Sequence, residues 1–358
     1  MSAHKKLMIM AAGTGGHIFP GLAIADMMRE RGWEVSWLGT STGMECQLVP
    51  KHGIAMDKLE FTGLRGKGWK HTASGAYKLV KSFFSCLKII GSRRPDVVLG
   101  MGGYVTVPGG LMAVLRGKPL VLMNADAALL LSNKALRPFA SKLLFGLPSA
   151  EHVTHTKLQV TGNPIRKEIC ELPAPELRYA QRQGMLRILV VGGSLGAKVL
   201  NDCLPQALAM IPVSQRPLVT HQSGKQHIEA LRTNYSNAGV DAEVLDFIDD
   251  MPRRYAEADL VICRAGAITV SELTAAGVAS ILVPFMASST SHQKENATWM
   301  AQQGAAIYLP QNQLNAVKLA AQLQALDREK CLQMARQAYA FGERDASKNI
   351  AKILEALV

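Results

Sequence analysis

The run Lys6 to Arg31, KLMIMAAGTGGHIFPGLAIADMMRER, constrains the fold more than any other stretch, because its pattern restarts in the second half of the chain. Leu7 to Met10 is a short apolar run that reads as a buried strand. Ala11-Ala12-Gly13-Thr14-Gly15-Gly16-His17 follows, a turn built from the residue that reaches positive φ without strain. Pro20 suits a first helical turn, Leu22, Ala25 and Met28 mark one helical face, and Gly32 is the stop. The strand Arg187 to Val191, the turn Gly192-Gly193-Ser194-Leu195-Gly196-Ala197 and a helix from about Lys198 to Met210 repeat the arrangement. Such a unit presents free backbone N–H groups and a positive dipole end to an anion. Either unit alone is equally a tight βα turn with nothing bound. Two of them imply two similar domains facing each other across a cleft.

The 358 residues give room for two such cores. Short apolar runs alternate with helical patterns throughout: 34–38, 96–100, 120–123, 143–145 and 158–160 in the first half, then 218–222, 243–247, 260–263, 280–283 and 306–309. That order predicts an α/β fold of parallel sheets covered by helices. Thr161-Gly162-Asn163-Pro164 is the candidate linker, and Pro175 lies in a looser stretch. The expected division is 1–163 and 164–340, with a helical stretch from about Asp327 to the end. No apolar run reaches the 18 residues a membrane span needs. MSAHKKLMIMAAG is read as strand plus glycine turn rather than as a signal peptide, because its apolar run is short and feeds directly into a helix. The six cysteines are scattered without a CxxC pair, which fits a reducing compartment and argues against a zinc site or a disulfide frame.

Charge is uneven. The net excess is +12, and residues 61–95 contain no acid but hold Arg65, Lys67, Lys70, Lys78, Lys81, Lys88, Arg93 and Arg94. Such a patch favours an anionic partner. A helix over about 73–90 carries Ala76, Val80, Phe83, Leu87 and Ile90 on one face, with Tyr77 and Phe84 extending it. Packing on a sheet accounts for part of that face. Trp69, Phe83 and Phe84, with Lys78, Lys81 and Lys88 beside them, favour contact with an anionic lipid surface.

A third glycine turn lies in Cys263-Arg264-Ala265-Gly266-Ala267-Ile268-Thr269-Val270-Ser271-Glu272. A helix starting near Ala267 would offer N–H groups to a diphosphate. Glu272 has two acceptor oxygens that suit both hydroxyls of a ribose; an acid early in a helix is also favourable on dipole grounds alone. His17 at a helix N-terminus suits a neutral imidazole able to accept a proton, or one that merely fills the turn. Arg166 is placed to meet a phosphate or to be a solvated surface arginine. His292-Gln293 follows a strand and a polar loop, where parallel sheets bind ligands.

In order along the chain stand GTGGHIFPGLAIA, GLRGKG, GMGGYVTVPGG, GNPIR, GGSLGA, FIDDM and CRAGAITVSELTAAG. Together they resemble the MurG family, the N-acetylglucosaminyltransferases that complete lipid II in bacterial cell-wall synthesis. The resemblance covers nearly the whole chain. It implies the GT-B architecture, two Rossmann-like domains with a final helix of about 341–358 packing back on the first. It implies an inverting β-1,4 transfer from UDP-N-acetylglucosamine, a substrate rather than a cofactor, to undecaprenyl-diphospho-N-acetylmuramoyl-pentapeptide. The implied donor contacts are Thr14, Gly15, Gly16, Asp126, Arg166, Ser194, Ile248, Ala267, Ile268, Thr269, Val270, Ser271, Glu272 and Gln293. Gly15, Gly16, Gly102, Gly103 and Tyr104 would receive the acceptor diphosphate. The base would be His17, with Asp126 as second candidate. No Asp-x-Asp motif stands where it would hold a metal, and no nucleic acid is implied. The implied place is the cytoplasmic face of the inner membrane, peripherally on its anionic leaflet and in a possible cell-wall synthesis complex.

The chain departs from the family where Met123-Asn124-Ala125-Asp126 replaces His-Glu-Gln-Asn, so the carboxylate is absent at 124 and an acid stands at 126. Leu195 replaces a usual glutamine and Ala12 a common glycine. Other classes remain open on the residues alone. A soluble UDP-N-acetylglucosamine 2-epimerase on the same fold explains the nucleotide loops but not the basic aromatic helix. A dinucleotide oxidoreductase is disfavoured by GTGG in place of GxGxxG. A non-catalytic membrane scaffold would make 123–126 a mark of lost activity. Charge reversal at Lys78, Lys81 and Lys88 is expected to cut sedimentation with anionic liposomes at least about tenfold, at about 1 kcal/mol per charge near the surface; equal sedimentation would remove the membrane helix.

Overall fold

The computed structural model describes residues 4–60, 69–148, 157–193, 196–285 and 292–358, with the backbone alone for 69–77 and 79. The loop at 63–68, Ser194, Leu195, the polar loop 288–291 and the side chain of Trp69 lie outside the described residues.

The chain divides into two compact units, Met1–Arg166 with Arg344–Val358, and Lys167–Glu343. The first runs β1 (Lys6–Ala11), α1 (Gly15–Glu30), β2 (Glu34–Thr40), α2 (Glu45–Lys51), β3 (Ala55–Leu59), α3 (Trp69–Arg93), β4 (Val97–Gly102), α4 (Thr106–Leu115), β5 (Leu120–Asn124), α5 (Leu131–Leu136), β6 (Lys142–Phe145) and β7 (Leu158–Val160). The second runs α6 (Lys167–Cys170), α7 (Pro175–Tyr179), β8 (Arg187–Val191), α8 (Lys198–Ala209), β9 (Leu218–Gln222), α9 (Ile228–Ala238), β10 (Glu243–Leu245) and α10 (Met251–Glu257). It continues with β11 (Leu260–Cys263), α11 (Ala267–Ala276), β12 (Ala279–Leu282), α12 (His292–Gln302), β13 (Ala306–Tyr308), α13 (Ala316–Gln324) and α14 (Arg328–Ala340). The last helix, α15 (Ala346–Glu355), belongs to the first unit.

Each unit is one parallel sheet. The orders are β3-β2-β1-β4-β5-β6-β7 and β10-β9-β8-β11-β12-β13. In both, the chain leaves the first strand to one side and returns to its other side, so the strand order switches between β1 and β4 and between β8 and β11. Crossover helices cover both faces, which is why β1 is a continuous apolar run. Leu7, Ile9 and Ala11 pack with Ile18, Leu22, Ile350, Ala351 and Leu354, so α1 and α15 share that core. Met8 and Met10 point the other way, to Cys86, Ile90 and Ala113 of α3 and α4.

Several local expectations are corrected. α1 begins at Gly15, so Pro20 lies inside the helix and leaves the Gly16 carbonyl without its donor four residues on. The segment 161–165 is buried rather than a loose linker: the Thr161 N–H donates to the Phe145 carbonyl (2.9 Å) and Asn163 Nδ2 to the Ala125 carbonyl (3.0 Å). These bonds bind it to the first sheet, so the units part after Arg166 and that residue belongs to the first. Pro175 is buried in the opening turn of α7. The terminal helical stretch is broken between α14 and α15, where the chain passes from one unit to the other. β3 and α2 have no expectation to meet: AMDKL has no apolar run, and ECQLVPK is short and contains Pro50.

The second core rests on a buried ion cluster. Asp259 is fully buried; its Oδ1 accepts from Arg182 Nη1 at 2.6 Å, and its Oδ2 from the Arg187 N–H at 2.9 Å and Arg328 Nη2 at 3.3 Å. Asp259→Ala leaves two arginines without their counter-charge and is expected to destabilise this unit by about 3–5 kcal/mol in urea unfolding.

Candidate nucleotide and diphosphate site

Ligands of open parallel sheets bind beyond the carboxyl ends of the strands, where the strand order switches. In the first unit those ends carry the loop after β1 (residues 12–14) and the loop after β4 (103–105). They pack backbone on backbone. The Ala12 N–H donates to the Gly102 carbonyl at 3.3 Å. Gly103, at φ +89°, lies so close to Ala12 that a β-carbon there would overlap its carbonyl oxygen. The Gly13 N–H donates to Glu45 Oε2 at 3.2 Å. Glu45 is fully buried, and its Oε1 accepts from the Thr40 N–H (2.9 Å) and hydroxyl (2.6 Å). It is a supporting carboxylate that the sequence did not reveal, because nothing near 45 repeats a motif.

His17 sits in the first turn of α1. Its Nδ1 lies 3.3 Å from the Ala12 carbonyl, which can only accept, so Nδ1 donates and the neutral ring carries its lone pair on Nε2. A β-carbon on Gly102 would come within 2.7 Å of His17 Cδ2 and Nε2, so only glycine leaves room for the imidazole there. Thr14 is exposed, Gly15 and Gly16 are half-buried, and Tyr104 is exposed beside them. These four expected residues and His17 with Gly102 and Gly103 stand on one edge of the sheet.

Asp126 is half-buried in the loop after β5. That loop is held by Asn124, which is fully buried. Asn124 Nδ2 donates to the carbonyls of Asp126 (2.7 Å) and Ala128 (3.0 Å), and Oδ1 accepts from the Leu130 N–H (2.9 Å) and Asn133 Nδ2 (3.1 Å). A carboxylate cannot donate, so this amide, not an acid, is what the present loop requires at 124. Arg166 is half-buried at the end of this unit.

In the second unit the corresponding loops follow β8 and β11. Gly196, at φ +76°, lies against the Ser223 carbonyl with no space for a β-carbon, and Gln222 Nε2 donates to the Gly193 carbonyl at 2.9 Å. Asn201 Nδ2 donates to the same Ser223 carbonyl at 3.0 Å. His221 bonds Asn201 Oδ1 (3.1 Å) through Nε2 and Tyr235 Oη (2.9 Å) through Nδ1; burial pushes it down to about 3, so it is neutral and structural. The His221-Gln222-Ser223 platform under the glycine loop is legible only once β9 is placed beside β8.

α11 begins at Ala267 after Gly266, and no acid lies in its first turn. The N–H groups of Ala267, Ile268 and Thr269 have no partner within the helix. The Val270 N–H is already given to the Gly266 carbonyl (2.9 Å), and its side chain is fully buried. Ser271 and Glu272 are buried in the second turn, so the dipole account of Glu272 does not apply. Instead Glu272 Oε2 accepts from the Tyr255 hydroxyl at 3.1 Å. Ile248 is buried in the segment after β10. Gln293 Oε1 accepts from the Phe285 N–H at 2.9 Å, which fixes the amide. Arg264 is taken up by the Val283 carbonyl and Gln311 and stacks on Phe285 at 5.3 Å.

The basic helix α3 is divided differently from expectation. Ser82, Cys86 and Ile90 are its buried row, and Phe83 and Leu87 are half-buried. Val80 is 54% and Phe84 70% exposed, on the same side as exposed Lys88. Lys78 is exposed as well, while Lys81 pairs with Glu60 at 3.0 Å. Among the described residues no helix is long and apolar enough to cross a membrane.

The chain matches the Glycosyltransferase family 28 N-terminal domain over residues 7–145 and the Glycosyltransferase family 28 C-terminal domain over 187–350. It is 68% identical over 354 residues to the UDP-N-acetylglucosamine--N-acetylmuramyl-(pentapeptide) pyrophosphoryl-undecaprenol N-acetylglucosamine transferase of Janthinobacterium sp. (strain Marseille), covering 99% of both chains. It is 67% identical, with the same coverage, to the protein of that name from Herminiimonas arsenicoxydans. Among solved structures it is similar to Acinetobacter baumannii MurG, with a TM-score of 0.85, 35% identity and coverage of 98% of this chain and 99% of that one. The two parallel-sheet units are those of the GT-B architecture.

The contact of the two N-terminal loops can be checked directly. Gly103→Ala must move either the φ +89° backbone or Ala12, and is expected to destabilise the first unit by about 1–3 kcal/mol. An unchanged thermal midpoint would show that the loops do not pack in this way.

Proposed function

The chain belongs to the MurG family of bacterial N-acetylglucosaminyltransferases, and from that premise we propose that it moves N-acetylglucosamine from UDP-N-acetylglucosamine to the C4 hydroxyl of undecaprenyl-diphospho-N-acetylmuramoyl-pentapeptide, with inversion. The observation that carries the reading is that the glycine loops of the family pattern stand at the switch point of each sheet, with a helix N-terminus beside each. That is where open parallel sheets hold phosphates.

The second unit holds the donor in this reading. N–H groups of Ala267, Ile268 and Thr269 face the diphosphate, Glu272 the ribose hydroxyls, and Ile248 lies in the uracil neighbourhood. Ser194, Gln293, Thr14 and Arg166 complete the donor contacts. Gly15, Gly16, Gly102, Gly103 and Tyr104 receive the acceptor diphosphate. His17 Nε2 takes the proton of the acceptor hydroxyl as its oxygen bonds to the sugar C1. The bond from C1 to the phosphate oxygen breaks, and UDP leaves with the electron pair. Its developing charge is met by the α11 N-terminus and Arg166. Asp126, near the same edge, is the second base candidate. Exposed Val80, Phe84, Lys78 and Lys88 support peripheral docking on the anionic leaflet that carries the acceptor.

Transfer of radiolabelled N-acetylglucosamine from UDP to a short-chain lipid I analogue, with EDTA present, tests the reading. Product is expected, and would also show that Met123 to Asp126 is compatible with turnover. Its absence with UDP binding intact would overturn the assignment. In the same assay His17→Ala is expected to lower turnover about 10²–10⁴-fold with donor KM nearly unchanged; a wild-type rate would exclude His17 as base.

A further inference from the structure

We propose that Tyr255 is a positioning residue that fixes the Glu272 carboxylate for the ribose of the donor nucleotide. The proposal rests on the ribose role given to Glu272 above. Tyr255 is 1% exposed and Glu272 8%, and the phenolic hydroxyl lies 3.1 Å from Glu272 Oε2. A carboxylate only accepts, so Tyr255 donates. The terminal torsion of a glutamate is a broad, twofold rotor. A diol needs both carboxylate oxygens in its own plane. A donor held rigidly on one oxygen sets that plane before the nucleotide arrives.

Tyr255 is itself rigidly held. Its carbonyl accepts from Arg178 Nη1 at 3.0 Å. Arg178 Nη2 donates to the Ala276 and Gly277 carbonyls at 2.5 Å each, the C-terminal end of the helix that carries Glu272. One half-buried guanidinium thus ties α10 to α11, while the tyrosine side chain bridges the same two helices further back. A phenylalanine would fill the same volume. Burying the hydroxyl has a cost that hydrogen bonding offsets, and its bond at 3.1 Å goes to the carboxylate assigned to the ribose.

The test measures UDP and 2′,3′-dideoxy-UDP affinities by calorimetry on the full chain, for the native protein, Tyr255→Phe, Glu272→Gln and the double variant. The native protein is expected to prefer UDP. Tyr255→Phe should weaken UDP about tenfold, the worth of one hydrogen bond to a charged group, and leave dideoxy-UDP within about twofold. The double variant should match Glu272→Gln, because the hydroxyl acts through the carboxylate. Thermal midpoints report folding separately. Equal weakening of both nucleotides in Tyr255→Phe, with the preference lost in Glu272→Gln, would overturn the positioning role and leave the ribose role standing. A full preference retained in Glu272→Gln would overturn the ribose role, and the present proposal with it.

Discussion

The contact on which both sites depend is backbone against backbone. Gly103 lies on Ala12 in the first sheet, and Gly196 on the Ser223 carbonyl in the second. Neither position has room for a β-carbon, and both have positive φ. Glycine therefore does two things at each: it adopts the turn, and it lets a loop from a neighbouring strand come close enough to share one rigid edge. N–H groups that would otherwise move with separate loops are set in a common frame. The supports beneath are polar and buried: Glu45 under Gly13, and Gln222 with Asn201 and His221 under Gly193 and Gly196. A buried polar network fully bonded in this way specifies one arrangement, because any alternative leaves a polar group without water or partner.

The same logic explains the departure at 124. Read against the family pattern, an asparagine there is a lost carboxylate. In the fold it is a buried amide that uses both its donors and its acceptor to hold residues 126–130. The residue at 124 is thus a structural support of the loop that carries Asp126. Glu272 gives the converse lesson. An acid near a helix start has a ready dipole explanation. Here the residue lies past the first turn, where that term has faded, and a buried tyrosine explains its orientation instead.

Legibility followed the range of each interaction. β1, β8, β11 and the glycine turns were readable because strand, turn and helix start are local and each has its own residue chemistry. β3 was not, since AMDKL at the sheet edge needs no apolar run. The periodicity of α3 marks the helix but not its inward row: Val80 lies in the apolar stripe and yet is exposed, while Ser82 is buried. Periodicity gives an apolar face without saying which part meets the sheet and which meets a surface outside it.

The sequence by itself determined the parallel α/β class, the two glycine-turn units and the acid-free basic stretch, because each is set by neighbours a few residues apart. Only the tertiary structure decided that Arg166 stays with the first unit, that Gly102 makes room for His17, and that Tyr255 holds Glu272. Those partners lie tens of residues apart in the chain. Which of many chemically similar side chains meet is fixed by strand order and close packing, not by any pattern a linear reading can detect.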